Sequence, residues 1–152
     1  MATKNLKEEN KKETIIDGKD LILGRLGSVV AKRLLLGENI TIVNCKDVVI
    51  IGNKKLIFEK YKNKRENKVI KKGPYFHRSS SDIVKRALRN MLPYKNQRGS
   101  EALKRLKCYN SVPSTLIKTE KEVIDSALVN YSKIFYFTKV GEISKYLGYN
   151  KE

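Results

Sequence analysis

The residues that could do covalent or acid–base chemistry are few, since the 152 residues include one histidine and two cysteines. His77 stands between Phe76 and Arg78, whereas Cys45 and Cys108 are far apart and form no C-x-x-C pair. This set lacks the spacing of a zinc site. His77 as a general base, or paired with either thiol as a nucleophile, is the catalytic alternative. No Ser/His/Asp or paired-carboxylate arrangement supports it, so we expect no catalytic residue, no metal and no cofactor.

A second candidate site is a phosphate-binding turn at Gly24-x-x-Gly27, between a predicted strand and a predicted helix. The pattern is half of a dinucleotide fingerprint, because G-x-G-x-x-G, G-K-[ST] and a well-placed acid on the second strand are all missing. A tight turn with close helix packing is the favoured interpretation. A Rossmann-type nucleotide-dependent enzyme remains the alternative.

Charge indicates chemistry of another kind, because 33 Lys and Arg against 16 Asp and Glu give a net charge of +17. Residues 60–109 contain 16 Lys or Arg and three acids, so they carry +13 of this charge. A charge run is usually a solvated face, but the clustering argues against that explanation here. Such a chain repels itself, and we expect a polyanion to neutralise it. Nucleic acid and an acidic membrane surface are the two candidates.

Residues 73–109, named here the basic segment, are predicted to form a loop, a helix, a turn at Pro93 and a second helix over 97–107. Lys85, Arg86 and Arg89 lie on one face of the first helix. Serines 79–81 offer capping hydroxyls, and Asp82 suits the positive end of the helix dipole. The opposite face of this helix is apolar and consists of Ile83, Val84, Ala87, Leu88, Met91 and Leu92.

A helix that docks by an apolar face and is cationic on its free face suits the binding of phosphates. In the loop before it, aromatic rings and Arg planes can stack on unpaired bases. No base-reading motif such as the RRM aromatic signature is present, which favours recognition of RNA shape and backbone. Basic membrane helices usually stand alone with Trp, Phe or Leu opposite the charge. The apolar faces here fit a protein core instead, so we expect no membrane partner.

The remaining elements must position this segment. The first of them read β-α-β, which implies a parallel strand pair and a right-handed crossover. Residues 46–51 are ambiguous between helical turn and strand, and 68–78 should be extended with a bend at Gly73-Pro74. The other predicted strands are 14–17, 21–23, 40–44 and 134–138, and the other predicted helices are 26–37, 54–67, 120–130 and 141–147.

The sequence predicts one domain, residues 14–148, between a disordered tail of 1–13 and a short tail of 149–152. No apolar run approaches the roughly 18 residues of a membrane-spanning helix. The N-terminus lacks the apolar part of a signal peptide, and few cysteines fit a reducing compartment. A cytoplasmic location is therefore expected.

Several motifs together resemble one family, the universal large-subunit ribosomal protein thirteen family in its archaeal and eukaryotic form. The likeness runs from about Ile15 to Gly148. The motifs are Asp17-Gly18, Leu23-Gly24-Arg25-Leu26-Gly27-Ser28, Asn44, Gly52-Asn53, Gly73-Pro74-Tyr75-Phe76-His77-Arg78, Asp82-Ile83-Val84-Lys85-Arg86, Arg89-Asn90-Met91-Leu92-Pro93, Gln97-Arg98-Gly99 and Ala102-Leu103-Lys104-Arg105-Leu106-Lys107.

The resemblance implies an α/β fold: a single Rossmann-like domain with a small, mostly parallel sheet flanked by helices and a basic helix-turn-helix extension. It implies a structural constituent of the large ribosomal subunit that binds and stabilises rRNA and supports assembly and translation. The implied partners are large-subunit rRNA and neighbouring ribosomal proteins, with no small-molecule substrate. A regulatory RNA-binding protein outside the ribosome is a further alternative.

The resemblance also assigns RNA contact to the basic residues that match the family's motif. Two departures are Asn90, where the family usually has Gly, and an end soon after Gly148 without the long C-terminal helix of eukaryotic members. The second indicates an archaeal or a reduced eukaryotic source. With adjoining loop residues, the predicted RNA-binding set is Lys71, Lys72, Tyr75, His77, Arg78, Lys85, Arg86, Arg89, Lys95, Arg98, Lys104, Arg105 and Lys107.

Overall fold

The computed structural model describes residues 13–67, 69 and 71–149. The five helices within these residues are α1 (Leu23–Leu35), α2 (Lys54–Glu66), α3 (Ser80–Met91), α4 (Gln97–Lys104) and α5 (Val140–Tyr146). The strands are β1 (Glu13–Asp17), β2 (Asn39–Val43), β3 (Val49–Ile51), β4 (Leu106–Cys108) and β5 (Phe137–Lys139).

The main sheet has the strand order β1-β2-β4, and both strand pairs are parallel. Its central strand is β-branched and buried: Ile40 and Ile42 are fully inaccessible to solvent and pair with Leu106 and Cys108. A second pair, β3 with β5, is antiparallel. The predicted α/β class with a small, mostly parallel sheet is therefore confirmed. The Rossmann-like arrangement and the helix-turn-helix extension stay predictions.

Helix α1 connects the first parallel pair, as the β-α-β pattern predicts. The predicted strand at 21–23 is wrong, because Leu21 and Ile22 form only isolated bridges and the helix begins at Leu23. The tertiary bonds of these residues explain the difference, since the Val49 N–H donates to the Leu21 carbonyl. Gly37 follows the helix with φ +103°, the left-handed geometry that glycine adopts without steric cost, which agrees with the end of the helix predicted over 26–37.

The predicted helix over 120–130 is wrong, and only a 3₁₀ turn at Asp125–Ala127 forms there. Its backbone groups pair elsewhere: the Glu122 N–H donates to the Ile15 carbonyl, and the Asp17 N–H donates to the Glu122 carbonyl. The segment thereby covers the outer edge of β1, and these bonds replace the intrahelical ones. The Arg33 guanidinium of α1 also donates to both carboxylate oxygens of Glu122, at 2.8 and 3.0 Å.

Three further predicted elements change length. The helix predicted over 97–107 ends at Lys104, because Leu106–Cys108 pair with β2 as β4. The aromatic strand predicted over 134–138 is shorter and lies later in the chain, because β5 begins at Phe137 and ends at Lys139. The ambiguous stretch 46–51 forms a 3₁₀ turn at Cys45–Asp47 followed by β3.

Helices α2 and α5 confirm the predictions for 54–67 and 141–147, and α3 confirms the helix predicted before the turn at Pro93. Gly148, with φ +82°, lies just beyond the end of α5. Of the predicted tails, residues 1–12 and 150–152 lie outside the described residues, while Glu13 already belongs to β1. Lys68 and Ile70, in the stretch predicted as extended, also lie outside them.

Candidate nucleic-acid interface

Helix α3 is the centre of the basic segment and is amphipathic in the predicted sense. Ile83, Val84 and Leu88 are buried in the core, and α3 packs against α1, β4 and α5. Met91 is an exception, because its side chain is 41% exposed at the edge of that face. The helix ends at Met91, where Leu92 before Pro93 is extended, as expected for a residue that precedes proline.

The start of α3 is capped by a side chain from another part of the chain. Ser79 occupies the N-cap position, but its hydroxyl makes no capping bond. Asn110, which follows β4, accepts a hydrogen bond from the Ser81 N–H at 2.8 Å and one from the Ser79 hydroxyl at 3.1 Å through its Oδ1. The amide of Asn110 thus pairs a backbone N–H of the first turn of α3, which has no carbonyl partner within the helix, and fixes α3 to the end of the parallel sheet.

The cationic face of α3 is ordered by aromatic rings. The Arg86 guanidinium carbon lies 5.0 Å from the Phe76 ring centroid, and that of Arg89 lies 4.2 Å from the Tyr94 centroid. Cation–π contacts of this kind restrain long side chains without neutralising them. Two arginines are thereby held in place with their charge available.

Asp82 is the carboxylate near this face, but it forms no ion pair with a Lys or Arg of the face among the described residues. Of the ion pairs between them, none includes a Lys or Arg from residues 71 to 106. His77 lies 3.9 Å from Asp82 and is charged only when protonated. Glu101 accepts a bond from Gln97 within its own helix. The cationic face of α3 contains a shallow depression of about 180 Å³, which is lined by His77, Asp82, Lys85, Arg86, Arg89 and Leu103.

Helix α4 follows after a turn and is docked against α1. Gly99 allows the approach of the turn, because a Cβ there would overlap the backbone carbonyl of Pro93. Arg105 donates from Nη2 to the Leu34 carbonyl at 2.7 Å, and Arg98 donates to the Leu35 carbonyl at 3.5 Å. These carbonyls belong to the last turn of α1, where cations are favourable.

The predicted RNA-binding residues therefore divide by their surroundings. Arg105 is half-buried and bonded within the fold, and Lys107 lies 3.5 Å from the Glu13 carboxylate. The Arg78 carbonyl accepts a bond from the Ser144 hydroxyl at 2.6 Å. Of the remaining residues of the set, Lys85 and Arg86 are half-buried. The others are exposed to solvent: Lys71, Lys72, Tyr75, His77, Arg78, Arg89, Lys95, Arg98 and Lys104.

The structure adds α2 to this surface, which the sequence prediction missed. The Lys64 ammonium lies 5.1 Å from the Tyr61 centroid and 5.8 Å from that of Phe76, beside Arg86. Arg65 anchors the helix by donating to the Leu147 carbonyl at 2.7 Å. The available signal was the dense Lys and Arg content of α2, but its distance in sequence from α3 hid their contact.

The glycines and the thiols that the sequence singled out lie in other parts of the fold. Gly24 and Gly27 lie inside α1, and a Cβ at Gly27 would overlap the Met91 thioether, so the predicted close helix packing is confirmed but the turn is not. A hydrogen bond with Cys108, together with burial, raises the pKa of the Cys45 thiol well above its usual value. Within the described ranges, no three His, Cys, Asp or Glu side chains gather as a metal site would require.

None of the helices in residues 13–67 and 71–149 combines the length and the hydrophobicity that a bilayer-spanning helix requires.

Comparison with known proteins identifies the family. Residues 11–115 match the family described as Ribosomal protein L13. The large ribosomal subunit protein uL13 of Archaeoglobus fulgidus is 45% identical over 137 residues, which cover 90% of this chain and 88% of the relative. The protein of the same name from Methanocaldococcus jannaschii is 47% identical over 139 residues, covering 89% and 97% of the two chains. The resemblance seen in the motifs is thus confirmed, and this chain belongs to the ribosomal protein L13 family.

Proposed function

We propose that this protein is a structural constituent of the large ribosomal subunit and that it binds large-subunit rRNA through the basic segment. Membership in the L13 family, whose relatives are named large ribosomal subunit proteins, supports the ribosomal role. Association with neighbouring ribosomal proteins, a place in cytoplasmic ribosomes and a role in subunit assembly belong to the same proposal.

The observation that carries the RNA-binding proposal is the cationic face of α3, whose Lys and Arg side chains form no ion pair among the described residues. Lys85, Arg86 and Arg89 stand on a helix whose other face is buried, and two of them are ordered by aromatic rings. Charge fixed in this way can bind phosphates without a large loss of side-chain freedom. Arg105 and Lys107 are left out of the central contacts, because their own partners lie within the fold.

The parallel β1-β2-β4 sheet with α1 supports a Rossmann-like scaffold that is used for RNA instead of a nucleotide. Gly24 and Gly27 lie within a helix, and Gly27 serves its packing on α3. The enzyme alternative would need a glycine-rich loop that exposes backbone N–H groups to a phosphate.

The experiment compares the triple variant Arg86→Ala, Arg89→Ala and Arg98→Ala with the unchanged protein for binding to large-subunit rRNA over a range of salt concentrations. Each neutralised phosphate contributes about −0.9 to the slope of log K against log salt, so the slope should become shallower by about 2.7. Affinity at 50 mM salt should fall at least tenfold, while the circular dichroism spectrum stays unchanged.

The matched control is a second triple variant, Lys118→Ala, Lys121→Ala and Lys133→Ala, which removes the same charge outside the basic segment. A general effect of net charge would make both variants equally weak. The proposed surface would then be wrong, as it would be if the arginine variant kept full affinity and slope.

A further inference from the structure

A groove of about 410 Å³ lies beside the cationic face of α3, between that helix, the end of α2 and the loop at 74–76. Its size falls within the range of small-ligand sites in proteins, about 300–1,000 Å³. Six side chains supply its chemistry: Lys64 and Asn67 from the end of α2, Tyr75 and Phe76 from the loop, and Arg86 and Asn90 from α3.

Two cations in this groove share one aromatic ring. The Lys64 ammonium lies 5.8 Å and the Arg86 guanidinium carbon 5.0 Å from the Phe76 centroid. Desolvation and the positive charges of Lys60 and Arg86 lower the pKa of Lys64. No carboxylate lines the groove within the described part of the chain. An anion between the two cations would relieve their repulsion.

The rest of the groove suits a planar polar group. Tyr75 is 63% exposed, and its ring packs on Gly73, where a Cβ would lie 3.2 Å from the ring carbon Cδ2. The amides of Asn67 and Asn90 offer both donors and acceptors, which is what the edges of nucleobases require. Anion, aromatic surface and amides together match the parts of one nucleotide.

We propose that this groove binds a single unstacked RNA nucleotide, with its phosphate between Lys64 and Arg86 and its base on Tyr75. The inference rests on the proposed function and adds a site for an unpaired base to a surface that otherwise binds backbone. Stacking of one base on an aromatic side chain corresponds to about 5- to 150-fold in affinity, converted from about 1–3 kcal/mol.

The test uses five RNA hairpins that differ only in one position: four carry a single bulged A, C, G or U, and one is fully paired. Fluorescence anisotropy gives the affinity of each. The unchanged protein should bind at least one bulged hairpin about 5- to 150-fold tighter than the paired one. Tyr75→Ala should abolish this preference. The groove-filling Asn90→Trp should also abolish it and leave the affinity for the paired hairpin unchanged.

Two controls separate the groove from folding and from general surface effects. Tyr75→Phe keeps the ring and should keep the preference. Asn63→Trp adds the same bulk to an exposed position of α2 outside the groove and should also keep it. Circular dichroism confirms that each variant is folded.

Equal affinity of the unchanged protein for all five hairpins would overturn the inference, as would a preference that survives Asn90→Trp. Either result leaves the proposed function intact if binding to large-subunit rRNA still depends on Arg89 and Arg98. Loss of rRNA binding altogether is a different outcome, because it would refute the proposed function itself.

Discussion

Replacing Asn110 by alanine should destabilise the protein by about 2 kcal/mol, although the side chain lies outside the helix it caps. Its Oδ1 accepts the Ser81 N–H at 2.8 Å and the Ser79 hydroxyl at 3.1 Å. Loss of a cap costs about 0.5–2 kcal/mol, and loss of a hydrogen bond about 0.5–1.5 kcal/mol. The second loss falls at the low end, because the Ser79 hydroxyl keeps the Ser81 hydroxyl as a partner at 2.9 Å.

Thermal unfolding followed by circular dichroism measures this effect. A change of 1 kcal/mol shifts the midpoint by about 2–4 °C in domains slightly larger than this one, so the midpoint should fall by about 4–8 °C. Asn110→Asp keeps the acceptor and places a negative charge at the positive end of α3, so its midpoint should be at least as high as that of the unchanged protein.

A matched control is Asn130→Ala, because the Asn130 Oδ1 also accepts a backbone N–H, from Ser132 at 3.1 Å, but in an exposed loop. This change should cost less than about 0.5 kcal/mol. The reasoning is refuted if the alanine variants at 110 and 130 are equally stable, or if Asn110→Asp is as unstable as Asn110→Ala.

Two other predictions concern single side chains. The Asp20 carboxylate accepts a hydrogen bond from Tyr131 at 2.6 Å, which raises the pKa of Tyr131 to about 12. The fold favours the protonated phenol, so the hydrogen bond's contribution to the free energy of unfolding is present below about pH 10 and is lost as pH rises through about 12. In an ultraviolet titration, Tyr131→Phe should lack one tyrosine that titrates late. Gly99→Ala should destabilise the protein by about 1–3 kcal/mol, because its Cβ would overlap the Pro93 carbonyl. A Cβ at Gly24 would meet no heavy atom within 4 Å, so Gly24→Ala should stabilise by up to about 1 kcal/mol. Urea unfolding measures both changes. Equal effects at the two glycines, or an unchanged high-pH titration, would contradict these arguments.

Local signals in the sequence were sufficient for the elements that bury their own apolar face. The spacing of Ile83, Val84 and Leu88 and the break at Pro93 predict α3. The predicted apolar face is buried except for the exposed Met91 and the half-buried Ala87. The β-branched residues Ile40 and Ile42 likewise predict a buried strand. In these cases propensity, periodicity and end signals agree.

Elements fixed by distant backbone partners were mispredicted. Residues 120–130 have helical spacing, yet Glu122 pairs with β1. Of the apolar residues with that spacing, Ile124 and Ala127 are buried, while Val123 and Leu128 are exposed. Residues 106–107 continue the pattern of α4, but pairing with β2 draws them into a strand. Periodicity carries no information about which backbone groups find partners far along the chain.

The candidate site shows the same division. The charge and face of Lys85, Arg86 and Arg89 follow from the sequence. The cap from Asn110, the bonds of Arg105 to α1 and the meeting of Lys64 with Phe76 depend on tertiary contacts. Sequence reasoning therefore found where the cations are, but not which of them already have partners.

The pairing of Glu122 with β1 has a consequence for the order of synthesis. Strand β1 is among the first parts of the described chain to leave the ribosome that makes it, whereas Glu122 follows roughly a hundred residues later. During that interval the outer margin of the nascent sheet has unpaired N–H and C=O groups that another chain could occupy. The segment around Glu122 protects this edge of β1 by pairing with it, so the edge stays open to other chains until that segment has been translated.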